Sequence, residues 1–137
     1  MLASAKLVGF LFTTDYDRAR EFYVDRLGLE FVALTPFALV LKLGGHTFRI
    51  SRIPDFTPAQ GTVLGWEVTD IAAAVEWLAG RGVVTEKYPF VEDQATGIWV
   101  SPDGARVAWF KDPDGNVLSV NVNPPGPGGA GLNYGAT

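Results

Sequence analysis

Arg49 and Glu67 are the residues of this chain whose type and setting hold the clearest chemical potential. Each falls in a segment that alternates like a β-strand, where a charge is costly unless something answers it. A guanidinium so placed can fix a carboxylate, phosphate or sulfate through paired N–H donors. It can equally pair with Glu67 as a structural ion pair, or escape to solvent at a strand end. Glu67 could act as a general base if its surroundings raised its pKa, but no placed partner completes an acid–base pair. Trp99 and Trp109 could stack on a flat ligand, or serve as core or dimer-interface rings.

Other reactive-looking residues have plainer roles. Asp112 and Asp114 resemble a carboxylate pair but stand in Asp-Pro-Asp-Gly, which is turn chemistry. Asp15 and Asp70 precede helical patterns and read as caps. His46, beside Gly44-Gly45, reads as a solvated turn residue. The chain has no cysteine, which removes thiol nucleophiles, zinc–thiolate sites and redox switching. Its net charge of −4 and lack of Lys/Arg clusters argue against a nucleic-acid partner. No run is long enough to span a bilayer and no leader with a cleavage site is visible. A soluble cytoplasmic protein with no membrane partner is the expectation.

The elements that must position these residues occur twice. Asp15 and Asp70 lie 55 positions apart, each after a short apolar run (Leu7 to Phe12, Val63 to Val68) and each before a helical pattern. Phe22 and Trp77 stand seven positions after their respective aspartates. Ala19, Phe22, Tyr23 and Leu27 form one apolar stripe; Ile71, Ala74, Val75 and Leu78 form the other. Strands are expected at 6–14, 29–35, 37–43 and 46–53, and again at 63–69, 98–100, 105–111 and 117–122. Ser101-Pro102-Asp103-Gly104 and Asp112-Pro113-Asp114-Gly115 turn the last three strands into a meander. Trp66 and Trp77 read as packing residues. Residues 85–95 show no clear period and could form a loop over a pocket. A repeat of this length is one supersecondary unit used twice.

The order strand-helix-strand-strand-strand, written twice, resembles the vicinal oxygen chelate superfamily of glyoxalases, extradiol dioxygenases and bleomycin resistance proteins. The residues that carry the likeness are Thr14-Asp15-Tyr16-Asp17-Arg18-Ala19-Arg20-Glu21-Phe22-Tyr23, Leu27-Gly28-Leu29-Glu30, Glu67-Val68-Thr69-Asp70 and Asp112-Pro113-Asp114-Gly115-Asn116. They cover the chain from about residue 6 to residue 122. The resemblance implies an α+β fold of two βαβββ modules forming a cupped mixed sheet around a cleft. It implies that the face carrying Val8, Phe10 and Phe12, with Thr47, Arg49 and Ser51, is concave. Val63, Gly65 and Glu67 would line the second copy, with Val117, Ser119 and Asn121. The family's metal ligands would fall at Val8, Arg49, Val63 and Ser119, none of which suits a divalent cation.

These readings converge on one domain over residues 1–123, with modules at about 5–53 and 62–122, and a flexible Gly/Pro-rich tail over 124–137. The expected function is metal-independent, non-catalytic binding of a small aromatic or anionic molecule, with no cofactor. Arg49, Glu67, Phe10, Phe12, Trp99, Trp109, Ser119 and Asn121 are the expected ligand-binding residues. A lyase or dioxygenase with a rebuilt metal site, and an interaction protein with a collapsed pocket, are the alternatives. The resemblance, and open sheet edges that need covering, imply a homodimer.

Overall fold

In the computed structural model, which describes residues 1–124, the first alternating run becomes strand β1 (Val8–Thr13). It buries Leu11 and Thr13 and leaves Val8, Phe10 and Phe12 on the opposite face. Asp15 then caps helix α1 (Tyr16–Arg20), its Oδ1 accepting from the backbone N–H groups of Asp17 (2.9 Å) and Arg18 (3.2 Å). Those are donors that no helical turn could satisfy. The helix widens into a π-helical stretch over Glu21–Arg26, and Ala19, Phe22 and Tyr23 form its buried side. Gly28, at φ 78°, supplies the left-handed residue that lets the chain leave. Strands β2 (Glu30–Leu34), β3 (Leu39–Leu43) and β4 (His46–Arg52) complete the first copy.

The second copy repeats the order: β5 (Thr62–Glu67), α2 (Ile71–Gly80), β6 (Trp99–Val100), β7 (Arg106–Lys111) and β8 (Val117–Val122). Asp70 caps α2 through the N–H of Ala73 at 3.0 Å, and Ile71 and Leu78 are its buried residues. Each copy forms a four-stranded sheet, ordered β1-β4-β3-β2 and β5-β8-β7-β6. In both, first and last strands run parallel and the remaining pairs antiparallel. The fold is α+β with two βαβββ modules, as expected. Trp66 packs as read, stacked on Phe110 with centroids 6.0 Å apart. Trp77 does not: it is 46% exposed, with the Arg81 guanidinium 4.3 Å above its ring. A helix only ten residues long has a narrow buried side, and Trp77 lies off it.

The described residues group into two compact units: Met1–Pro58 with Asp112–Gly115, and Ala59–Lys111 with the described residues from Asn116 on. Residues 112–115 belong by sequence to the second module and by packing to the first unit. Of the tail expected over 124–137, Pro124 is described and buried; the other positions lie outside the described residues.

The Asp112–Gly115 turn holds the junction of β1 and α1. Asp114, with a side chain only 3% exposed, accepts from Thr14 N (2.9 Å), Thr14 Oγ1 (2.7 Å) and Arg18 Nη2 (2.9 Å) through Oδ1. Its Oδ2 accepts from Thr13 Oγ1. Burial alone would raise this carboxyl, but the threonine hydrogen bonds and the Arg18 charge outweigh it and hold it below the ordinary carboxylate range. Asp112 accepts from the Tyr23 phenol at 2.6 Å. Burial and then the Asp112 charge push that phenol far above its usual range, so it stays a donor. Asp114→Ala is expected to cost about 2–3 kcal/mol, because it strips a charged acceptor from several donors at once. A lowered folded pKa means that the wild-type contribution is complete above about pH 4, the unfolded value, and is lost as pH falls through the folded one. Urea unfolding across a pH series checks both points, and Asp114→Asn should flatten the acid-side loss.

Candidate functional site

In the first unit the expected residues share one sheet face. Cross-strand register places Phe10 opposite Arg49, Phe12 opposite Ser51 and Val8 opposite Thr47. On its other side Arg49 is opposite Val40 of β3. Arg49 thus stands between Phe10 and Val40 in register. Arg49 is half-buried, yet among the described residues it has neither an ion pair nor a hydrogen-bond acceptor. Its neighbour in sequence Arg52, by contrast, donates to the Thr14 carbonyl at 3.2 Å. Phe10 is 60% exposed, and Phe12 lies against Phe56 at 5.7 Å.

In the second unit, Ser119 stands between Gly65 and Trp109 in register, and Asn121 between Glu67 and Val107. A side chain at Gly65 would put its Cβ 2.7 Å from Ser119 Oγ, so glycine there makes room for the hydroxyl. Glu67 accepts from the Asn123 amide, and Asn121 donates to Asn123 Oδ1 at 3.3 Å. Glu67 is exposed and tied to an amide, and among the described residues no second acid or base stands beside it to complete the general-base reading. Trp99, opposite Val107, sits 5.9 Å from Trp109. Trp109 donates its indole N–H to Thr62 Oγ1 at 3.1 Å, so its ring is held at the rim as well as in the cluster.

The open face of this second sheet carries two rings that the sequence reading passed over, Tyr88 and Phe90. They stack on each other at 5.5 Å and 6° and meet Trp109 edge-on, each at 5.7 Å. Phe90 also meets Trp99 edge-on at 6.2 Å. The segment that bears them, residues 85–97, contains no regular element and is tied at its feet. Glu86 N donates to the Trp109 carbonyl (2.7 Å), and Thr85 Oγ1 to the Thr96 carbonyl (2.7 Å). Gly97, at φ 75°, admits no side chain: a Cβ would lie 2.7 Å from Thr85 Oγ1 and 2.8 Å from the Glu86 carbonyl. The available signal was two aromatic residues around Pro89 in an otherwise aperiodic stretch.

The four positions that resemblance assigns to metal ligands carry Val8, Arg49, Val63 and Ser119. Two hydrocarbon side chains, a permanent cation and a hydroxyl do not fit a divalent ion. Among the described residues no group of three or more His, Cys, Asp or Glu could hold one elsewhere. A cavity of about 440 Å³ opens at the start of α2, between Thr69, Ile71, Gly104, Arg106 and Asn123, and none of the eight expected residues lines it. No helix of the described residues is long and apolar enough to cross a membrane.

The family model described as Glyoxalase/Bleomycin resistance protein/Dioxygenase superfamily matches residues 5–120. Among solved structures, the glyoxalase family protein from Enterococcus faecalis is 23% identical, with a TM-score of 0.67 over 88% of this chain and 99% of that one. Lactoylglutathione lyase from Agrobacterium tumefaciens is 22% identical, with a TM-score of 0.65 over 87% and 93%. A glyoxalase/bleomycin resistance protein/dioxygenase from Nocardioides is 18% identical, with a TM-score of 0.68 over 96% and 89%. At such identities the likeness establishes the fold alone. No curated protein matches the sequence. With the family model spanning both βαβββ copies, the chain belongs to the glyoxalase/bleomycin resistance protein/dioxygenase superfamily.

Proposed function

We propose that this protein binds a small aromatic or anionic molecule without a metal ion, as a sequestering protein and not as an enzyme. The observation that carries the reading is Arg49: a half-buried arginine opposite Phe10 and Val40 in register, with no acceptor among the described residues. A cation so placed favours a ligand carboxylate, phosphate or sulfate. Phe10 and Phe12 supply apolar surface beside it, and Trp99 and Trp109 supply ring surface on the second sheet. Within the second unit, Ser119, Asn121 and Glu67 add a few polar groups to that ring-bearing face, which is a separate surface from the Arg49 face. The lyase activity named for the Agrobacterium relative would need metal donors that Val8, Arg49, Val63 and Ser119 do not offer.

2-Naphthoate and its neutral amide test the reading. Wild-type protein is expected to bind the acid, and Arg49→Ala to weaken it roughly 10- to 100-fold, the loss of one charged hydrogen-bonded contact. The amide should bind alike to both proteins; equal affinity of both proteins for the acid would sink the proposed role of Arg49. Thermal melts in added Zn²⁺, Mn²⁺, Ni²⁺ and Fe²⁺ are expected to show no shift. A shift with close to one metal per chain would instead favour lyase or dioxygenase chemistry. A cytoplasmic homodimer is part of the proposal: β2 ends its sheet with Val32 and Leu34 46% and 47% exposed, and Phe37 follows at 80%. Light scattering on eluted protein should give twice the chain mass, and Leu34→Lys should halve it.

A further inference from the structure

We propose that Phe90 fills, with its own ring, a slot on the second sheet that takes a flat uncharged aromatic ring, and that a ligand enters by displacing it. The inference rests on the small-molecule reading above and adds to it a ligand chemistry and a gate.

Phe90 combines two properties that rarely go together. Its ring meets both Trp99 and Trp109 edge-on and stacks on Tyr88, yet 59% of the residue is exposed. A ring that belonged to the core would be covered on its outer side as well. Among the described residues Phe90 makes no hydrogen bond, so ring contacts alone hold it. Its neighbours are fixed far more firmly. Val91 is 1% exposed and its N–H donates to the Tyr88 carbonyl at 3.0 Å. The Gln94 amide also donates to that carbonyl, at 2.9 Å. The backbone on either side of Phe90 is thus tied, and side-chain rotation is enough to clear the slot.

The chemistry of the slot follows from what surrounds it. Several charged and polar groups beside the slot are already engaged: Lys87 with the Thr85 carbonyl and hydroxyl, Glu86 with Lys111 at 3.4 Å, and the Trp109 indole N–H with Thr62. What Phe90 would uncover is the indole surface of Trp99 and Trp109 and one face of the Tyr88 ring. Such a surface gains from a flat ring by stacking and burial, and offers a formal charge nothing in return. This distinguishes it from the Arg49 face of the first unit, which favours an anion. An internal occupant also lowers apparent affinity by the fraction of time the slot is closed.

Equilibrium dialysis of 2-naphthol against wild type, Phe90→Ala and Phe90→Trp decides the matter. Removing the occupant is expected to tighten binding ~5-fold, the loss of competing ring contacts. The larger indole should weaken binding relative to wild type. Melting temperature should be nearly unchanged in Phe90→Ala, since most of that residue is exposed. If alanine weakens binding or leaves it unchanged, Phe90 is a wall and not an occupant, and the proposal is overturned. Absence of 2-naphthol binding in all three proteins overturns the slot while leaving the small-molecule reading intact, provided 2-naphthoate binds. If neither compound binds, both fall.

Discussion

One carboxylate organises the first unit. Asp114 gathers the hydroxyls of Thr13 and Thr14, an amide N–H and the Arg18 guanidinium at the point where β1 passes into α1. Thr13 is 1% exposed there, and a buried hydroxyl without a partner would be costly. Satisfying it fixes the end of β1, and the end of β1 sets its register against β4. That register decides which side chains reach the open face: Phe10 beside Arg49, Phe12 beside Ser51. Asp112 adds a second anchor by accepting from the buried Tyr23 phenol. A turn formed late in the chain thereby governs a surface formed at its beginning.

The two copies keep the same backbone plan and diverge in side chains. Position for position, the Phe10–Arg49 pair of the first copy corresponds to Gly65–Ser119 in the second. Ladder hydrogen bonds are made by the main chain, so either pair is compatible with the sheet. The face each presents is a different matter. A ring and a cation favour an anion with an apolar body; a glycine and a serine leave room that the indoles and the Tyr88–Phe90 stack then dominate. The positions that resemblance assigns to metal donors carry Val8, Arg49, Val63 and Ser119. A superfamily defined by its fold can therefore hold members with unlike chemistry, because chemistry resides in these few outward side chains.

Much of the architecture is legible in local sequence. The caps at Asp15 and Asp70, the breaks at Pro36 and Gly44-Gly45, the two Asp-Gly turns and the strand alternation all act over a few residues, and each lies close to where spacing places it. The shared face of Phe10 and Phe12 follows from the period of two along a strand, whereas Arg49 joins them through the β1–β4 register. Trp77 is exposed against expectation because helical periodicity tells which residues lie on one side, not how wide the covering layer is.

Tertiary structure alone decided the rest. The role of Asp112 and Asp114 beyond turn formation depends on partners some 90 to 100 positions away, about which local pattern is silent. The placing of Tyr88 and Phe90 over Trp99 and Trp109 depends on ties between Thr85 and Thr96 and between Glu86 and Trp109, and no period marks them. That Arg49 meets no acceptor among the described residues is a fact about its surroundings and not about its neighbours in sequence. The chain thus determined its strands, helices, turns and family by itself, since those rest on short-range backbone preference and alternation. Which side chains meet, and which are left without a partner, was settled only when distant segments packed.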